Sequence, residues 1–146
     1  MAAGGSKYDM WYFRRREVVL LGFKFYPQGA GTPLLDTDPP DGGSAYPVAG
    51  RPVRVPGIAG VARTGVGQFT VTLSDKFAGL IAALGPDFHI SALTPLGAQF
   101  TGIDVAGAKT VSMQVFTPST GAAVDVAANA ANWIAFLLVL ANSPSN

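Results

Sequence analysis

The single histidine of the chain, His89, lies in Asp87-Phe88-His89-Ile90-Ser91, so a carboxylate, an imidazole and a hydroxyl follow one another within five residues. Acyl-transfer chemistry needs these three groups to converge from separate elements, with the base between nucleophile and orienting acid. One short apolar segment cannot arrange that, and a lone imidazole has no metal-ligand spacing. His89 is therefore expected to be a satisfied strand histidine. Asp36, Asp38 and Asp41 form a second group, hard carboxylates of the kind calcium selects. Their spacing departs from the calcium-loop signature: Pro40 takes the fifth position, Asp41 stands where glycine is required, and no Glu closes the loop. No metal is expected there. Gly29-Ala30-Gly31 and Gly65-Val66-Gly67 continue neither into the Lys of a phosphate loop nor into a third glycine, and read as turns. Paired carboxylates for glycoside hydrolysis would have to stand on facing strands, which here carry almost none. The chain is read as no enzyme, with no catalytic residue and no cofactor.

The remaining group is the N-terminal Tyr8, Trp11, Tyr12, Phe13, Arg14, Arg15 and Arg16. Arginines beside aromatic rings suit nucleic acid, where cations meet phosphates and rings stack on bases. The whole chain carries a formal net charge of only +1, however, and Asp9 and Glu17 bracket the cluster. No nucleic-acid partner is expected. Arg, Trp and Tyr are also the favoured anchors of protein interfaces, so these seven residues are the candidate partner-binding site, carried on an arm.

What must position such an arm is constrained by composition. A length of 146 residues suits one domain. Charged residues are 13% and hydrophobic ones 49%, and the one Glu among nine acidic residues is Glu17. A helical bundle with a solvated charged surface does not fit that balance. So little charge leaves more apolar surface than a soluble monomer carries, which points to contact between subunits. The absence of cysteine excludes disulfide frameworks and thiolate chemistry. The longest apolar run, residues 133–141, is far short of the roughly 18 residues of a membrane helix. No membrane partner is expected, and the N-terminus reads as neither secretory signal nor anchor.

The order of elements reads as all-β. Residues 1–15 form an extended arm, and residues 16–146 one β domain interrupted by a long loop at 27–50, where Pro and Gly are too dense for helix or central strand. Strands are predicted at 17–26, 58–64, 68–73, 88–93, 99–105, 110–116 and 133–140, with a short extended piece at 51–56 and a small-residue loop at 118–132. The strands at 17–26 and 133–140 are apolar on both faces and are expected to be covered on both. Ser74 is placed as the cap of a short helix through Ala83, because Phe77, Leu80, Ile81 and Leu84 recur at helical spacing and Gly85-Pro86 would stop it. The sum is an antiparallel β-sandwich or barrel with one short helix. Phe23, Phe69, Val71, Leu73, Val115, Trp133 and Phe136 are the predicted core.

Three stretches carry a resemblance. They are Arg14-Arg15-Arg16-Glu17-Val18-Val19-Leu20-Leu21-Gly22 with Thr32-Pro33 after it, residues 61–73 with their Arg-x-Gly-x-Gly-x-aromatic-Thr-Val-x-Leu pattern, and residues 133–143. Together they touch about a third of the chain, which resembles the head decoration or cement proteins of tailed bacteriophages. The hairpin pattern also resembles modules at the tips of tail fibres. The resemblance implies a structural virion protein on the capsid surface, made in the host cytoplasm. Its implied partners are the major capsid protein and further copies of itself, most simply in a trimer. A tail-fibre tip or other tail-associated, receptor-binding module is the alternative.

Overall fold

The computed structural model describes residues 18–35, 57–90, 95–129 and 131–141. They form eight β-strands: β1 (Val18–Tyr26), β2 (Leu34–Leu35), β3 (Ile58–Gly65), β4 (Gln68–Leu73), β5 (Gly79–His89), β6 (Gly97–Asp104), β7 (Thr110–Phe116) and β8 (Trp133–Ala141). One sheet has the order β2-β1-β8-β5 and the other β3-β4-β7-β6. Every neighbouring pair is antiparallel. Two separate four-stranded sheets sharing one core make a sandwich, which decides between sandwich and barrel.

Alternation builds the core. In β7, Val111, Met113 and Val115 are buried while Thr110, Ser112 and Gln114 face away. In β4 the same rule buries Phe69, Val71 and Leu73. The other sheet contributes Leu21, Phe23 and Phe25 from β1 and Ile134, Phe136, Leu138 and Leu140 from β8. Aromatic rings lock the layers: Phe25 lies 5.3 Å from Phe69, and Phe100 lies 5.9 Å from Phe136 in an edge-on contact. Such pairs add roughly 0.5–1.5 kcal/mol each beyond the area they bury.

The predicted helix at 74–83 is absent, and no helix occurs among the described residues. Ser74 to Ala78 form a bend and β5 begins at Gly79. Phe77 reaches the core from the bend, where its N–H donates to the Val105 carbonyl, and the Ala78 N–H donates to the Ala141 carbonyl. Those tertiary bonds direct the chain onto β8 as a strand. Gly85-Pro86, read as a helix stop, lies inside β5 at a register shift between Leu84 and Asp87, with a cis peptide bond. An edge strand accepts the missing N–H of Pro86 because that side of the ladder has no partner. The strand predicted at 88–93 is the end of β5, with residues 91–93 outside the described residues.

Smaller differences follow the same chemistry. Leu34 and Leu35, within the predicted loop, pair with Tyr26 and Phe25 as β2. Residues 36–56, which include the extended piece at 51–56, lie outside the described residues. Trp133, placed in the core from sequence, is only half-buried, because the register turns it to the outer face beside His89. Nor are β1 and β8 covered on both faces: Leu20 is 55% exposed, and Leu137 and Val139 are half-buried.

Candidate functional site

Tyr8, Trp11, Tyr12, Phe13, Arg14, Arg15 and Arg16 lie outside the described residues, as do Asp36, Asp38 and Asp41. The first described residue after the arginines is Val18, the start of β1 and a neighbour of Ala141 in β8.

His89 closes β5, exposed on the outer face of that sheet. Its ring stacks on Trp133 with centroids 6.0 Å apart and planes at 17°, and Nδ1 is bonded to the Ala131 carbonyl oxygen. Asp87 Oδ1 accepts from the N–H of Phe88 at 2.8 Å. These contacts tie the segment to itself and to Trp133 of β8; Ser91, the hydroxyl beside His89 in sequence, lies outside the described residues. No group of three or more His, Asp or Glu side chains able to hold a metal is found among the described residues. Nor is any helix among them long and apolar enough to cross a membrane.

Both glycine pairs are turns. The Gly31 N–H donates to the Gln28 carbonyl at 2.9 Å, closing the first. In the second, Gly67 has φ 61°, and a Cβ there would meet the Val124 and Val115 carbonyl oxygens at 2.5 and 2.6 Å. Only glycine satisfies both the left-handed backbone and that approach.

This turn also belongs to a charged corner that the sequence did not disclose. Arg63 donates from Nε to Asp125 Oδ1 at 2.9 Å and from a terminal nitrogen to Oδ2 at 2.7 Å, and the Gly67 N–H donates to Oδ1 at 2.8 Å. The hydrogen bond from Arg63, followed by that from Gly67, holds the Asp125 carboxyl below its ordinary value against the opposing effect of burial. The same hydrogen bond raises the Arg63 guanidinium. Sixty-two residues separate the pair, so no local signal announces it. A second carboxyl, Asp104, accepts from the N–H groups of Ala108 and Gly107 and is lowered by them, capping the turn into β7. Both carboxylates are held by donors of the chain itself, one bridging β3 and the segment that carries Asp125, the other closing the turn before β7.

The two outer faces differ sharply. On β3-β4-β7-β6 the outward residues include Thr70, Thr72, Thr110, Ser112 and Gln114, with a hydroxyl contact of 3.1 Å between Thr70 and Ser112. On β2-β1-β8-β5 the outward residues include exposed Leu20 and Leu84 and half-buried Leu137 and Val139, while exposed Leu80 pairs with buried Leu140 and Ile81 lies in the bulge of β5. The chain matches no protein-family model, no curated protein and no solved structure.

Proposed function

We propose that this chain is a structural virion protein of a tailed bacteriophage, a decoration protein that binds the outside of an assembled capsid in many copies and stabilises it. The observation that carries the reading is where the resembling stretches fall. Residues 14–22 run into β1, residues 61–73 are the β3–β4 hairpin, and residues 133–143 contain β8. They supply the two central strands of one sheet and the leading hairpin of the other, so the resemblance rests on the frame of the sandwich. The arm that precedes β1 supplies the anchors, Trp11, Tyr12, Phe13 and Arg14 to Arg16, against the major capsid protein.

The reading is tested by the copy number of this chain relative to the major capsid protein in purified particles, measured by quantitative mass spectrometry. A ratio near that of the shell protein is expected. A handful of copies per particle would move the protein to the tail or a fibre tip, and absence from particles would remove the virion reading.

A further inference from the structure

On the outer face of β3-β4-β7-β6, the alternation of β7 turns Gln114 and Phe116 outward while Met113 and Val115 point into the core. Phe116 pairs with Gly97 of β6 on one side and bridges Ala123 on the other, so neither neighbour is large enough to hold its ring upright. The ring lies over Gly97. A Cβ built at Gly97 would meet the Phe116 Cζ at 2.6 Å, Cε2 at 2.8 Å and Cε1 at 3.2 Å. Three far atoms of the ring crowd one point at similar distances, which is the geometry of a ring face laid on the backbone. No positive φ calls for glycine at 97; the ring does. An aromatic side chain that covers a glycine of an edge strand supports the sheet. It also leaves the opposite face of the ring turned outward, and Phe116 is only half-buried.

The next row of the same face is made of amides. Gln114 pairs with Gln68 of β4 and with Gln99 of β6, so three glutamines stand side by side at strand spacing, one two-residue step of about 7 Å from Phe116. Gln68 and Gln99 are exposed and Gln114 is half-buried. None of the three amides is hydrogen-bonded to another group among the described residues. Gln68 leans toward β3, its Oε1 only 3.0 Å from where a Cβ of Gly65 would sit, which leaves Gln114 and Gln99 as the amides nearest the ring. In the row beyond, the Thr70 and Ser112 hydroxyls lie 3.1 Å apart. No Lys, Arg, Asp or Glu belongs to these three rows.

We infer that Phe116, Gln114 and Gln99 form a binding site for a neutral hexose unit of a polysaccharide. A hexose has a face of C–H groups and a rim of hydroxyls. The C–H face lies on the open side of the Phe116 ring, and hydroxyls that both donate and accept meet amides that do the same. Exposed amides already bond water, so each such hydrogen bond adds little net affinity and the ring contact supplies most of it. Other ligand classes fit these rows less well. Nucleic acid and acidic glycans require cations, and none stands here. An apolar protein surface would bury the amides against nothing able to bond them, which is costly.

The experiment is an NMR titration of the isotope-labelled, full-length protein with maltotetraose, cellotetraose and mannotetraose, and with a heparin oligosaccharide as the charged comparison. The side-chain amide signals of Gln99 and Gln114 are expected to move with at least one neutral chain, with a dissociation constant on the order of 1 mM, and to stay still with heparin. No movement with any neutral chain at about ten times that concentration, or movement with heparin alone, overturns the inference. Shifts confined to His89 and Trp133 would place the sugar on the other sheet and overturn the assignment. Movement of the same amides with protein concentration alone would mean that they meet a second copy, and that too overturns it.

Phe116→Leu keeps an apolar side chain without a flat ring and should weaken binding by at least about tenfold. Gly97→Ala retains every contacting group but lifts the ring from the backbone, and should cost as much. Gln99→Ala, at an exposed position of an edge strand, should weaken binding without touching the core, so it keeps the test open if either of the others fails to fold. Affinity unchanged in every variant shown folded by circular dichroism would mean that the ring only covers Gly97, and the inference falls. It does not rest on the virion reading: absence of sugar binding leaves the copy-number result untouched, and absence from particles leaves the sugar site untouched.

Discussion

Arg63 stands on β3, an edge strand, opposite Phe69 in the register and therefore on the core-facing side. An inward-pointing charge is one of the devices that keep an edge strand from pairing with a stranger, but it needs a partner. Asp125 supplies one with a two-pronged contact, and Gly67 adds a backbone donor. The pair is about a quarter exposed, 22% and 25%, so solvent screens part of the attraction. Because the folded state lowers the Asp125 carboxyl, the ionised pair stabilises the fold fully above the ordinary carboxylate value of about 3.9. That stabilisation is lost as pH falls through the lower folded value. The difference in unfolding midpoint between wild type and Asp125→Asn should therefore be largest near neutral pH and shrink below about pH 4. Taking the difference cancels Asp104, which is lowered in both proteins. A gap that stays constant from neutral pH into acid would show that the charge of Asp125 contributes nothing. Gly67→Ala is expected to be more damaging than Arg63→Ala, since it strains the backbone and drives a methyl into two carbonyls; comparing their thermal midpoints tests the order.

Among the elements, β4 and β7 were readable because each alternates without interruption, hydroxyls and amides outward and Val, Phe, Met or Leu inward. The strand β5 was not, and the reason is its bulges. Register shifts between Leu80 and Ala82 and between Leu84 and Asp87 each insert residues that break the period of two. What remains is an interval of three to four residues among Phe77, Leu80, Ile81 and Leu84, which imitates a helix. Likewise, apolar residues on both faces of β1 and β8 indicate that both faces meet something, but not whether the second cover comes from the same chain. Trp133 was misplaced for that reason, since hydrophobicity alone does not tell the inner face from the outer. The distinction is measurable. Phe69, fully buried between the sheets and packed on Phe25, should cost roughly 3 to 5 kcal/mol when replaced by Ala. Trp133→Ala, half-buried and stacked on His89, should cost clearly less in the monomer. Denaturant unfolding of both variants under dilute conditions checks the ranking, and equal losses would mean that Trp133 is a core residue after all.

At the scale of the whole molecule, the sandwich presents two unlike surfaces, a hydroxyl and amide face on β3-β4-β7-β6 and an apolar face on β2-β1-β8-β5. A protein that binds an assembled shell and not its dispersed subunits stabilises the shell by mass action alone, whatever the details of the contact. At a free concentration one hundred times its dissociation constant the gain is about 2.7 kcal/mol per site. Undecorated capsids titrated with the protein should therefore resist heat progressively better, the disruption temperature rising with the logarithm of free protein once sites are filled. If the arm carries the anchors, Trp11→Ala with Arg15→Ala should move the whole curve to higher concentration without changing the protein's own unfolding midpoint. Curves that coincide for wild type and the arm variant would sink the assignment of Trp11 and Arg15 as anchors.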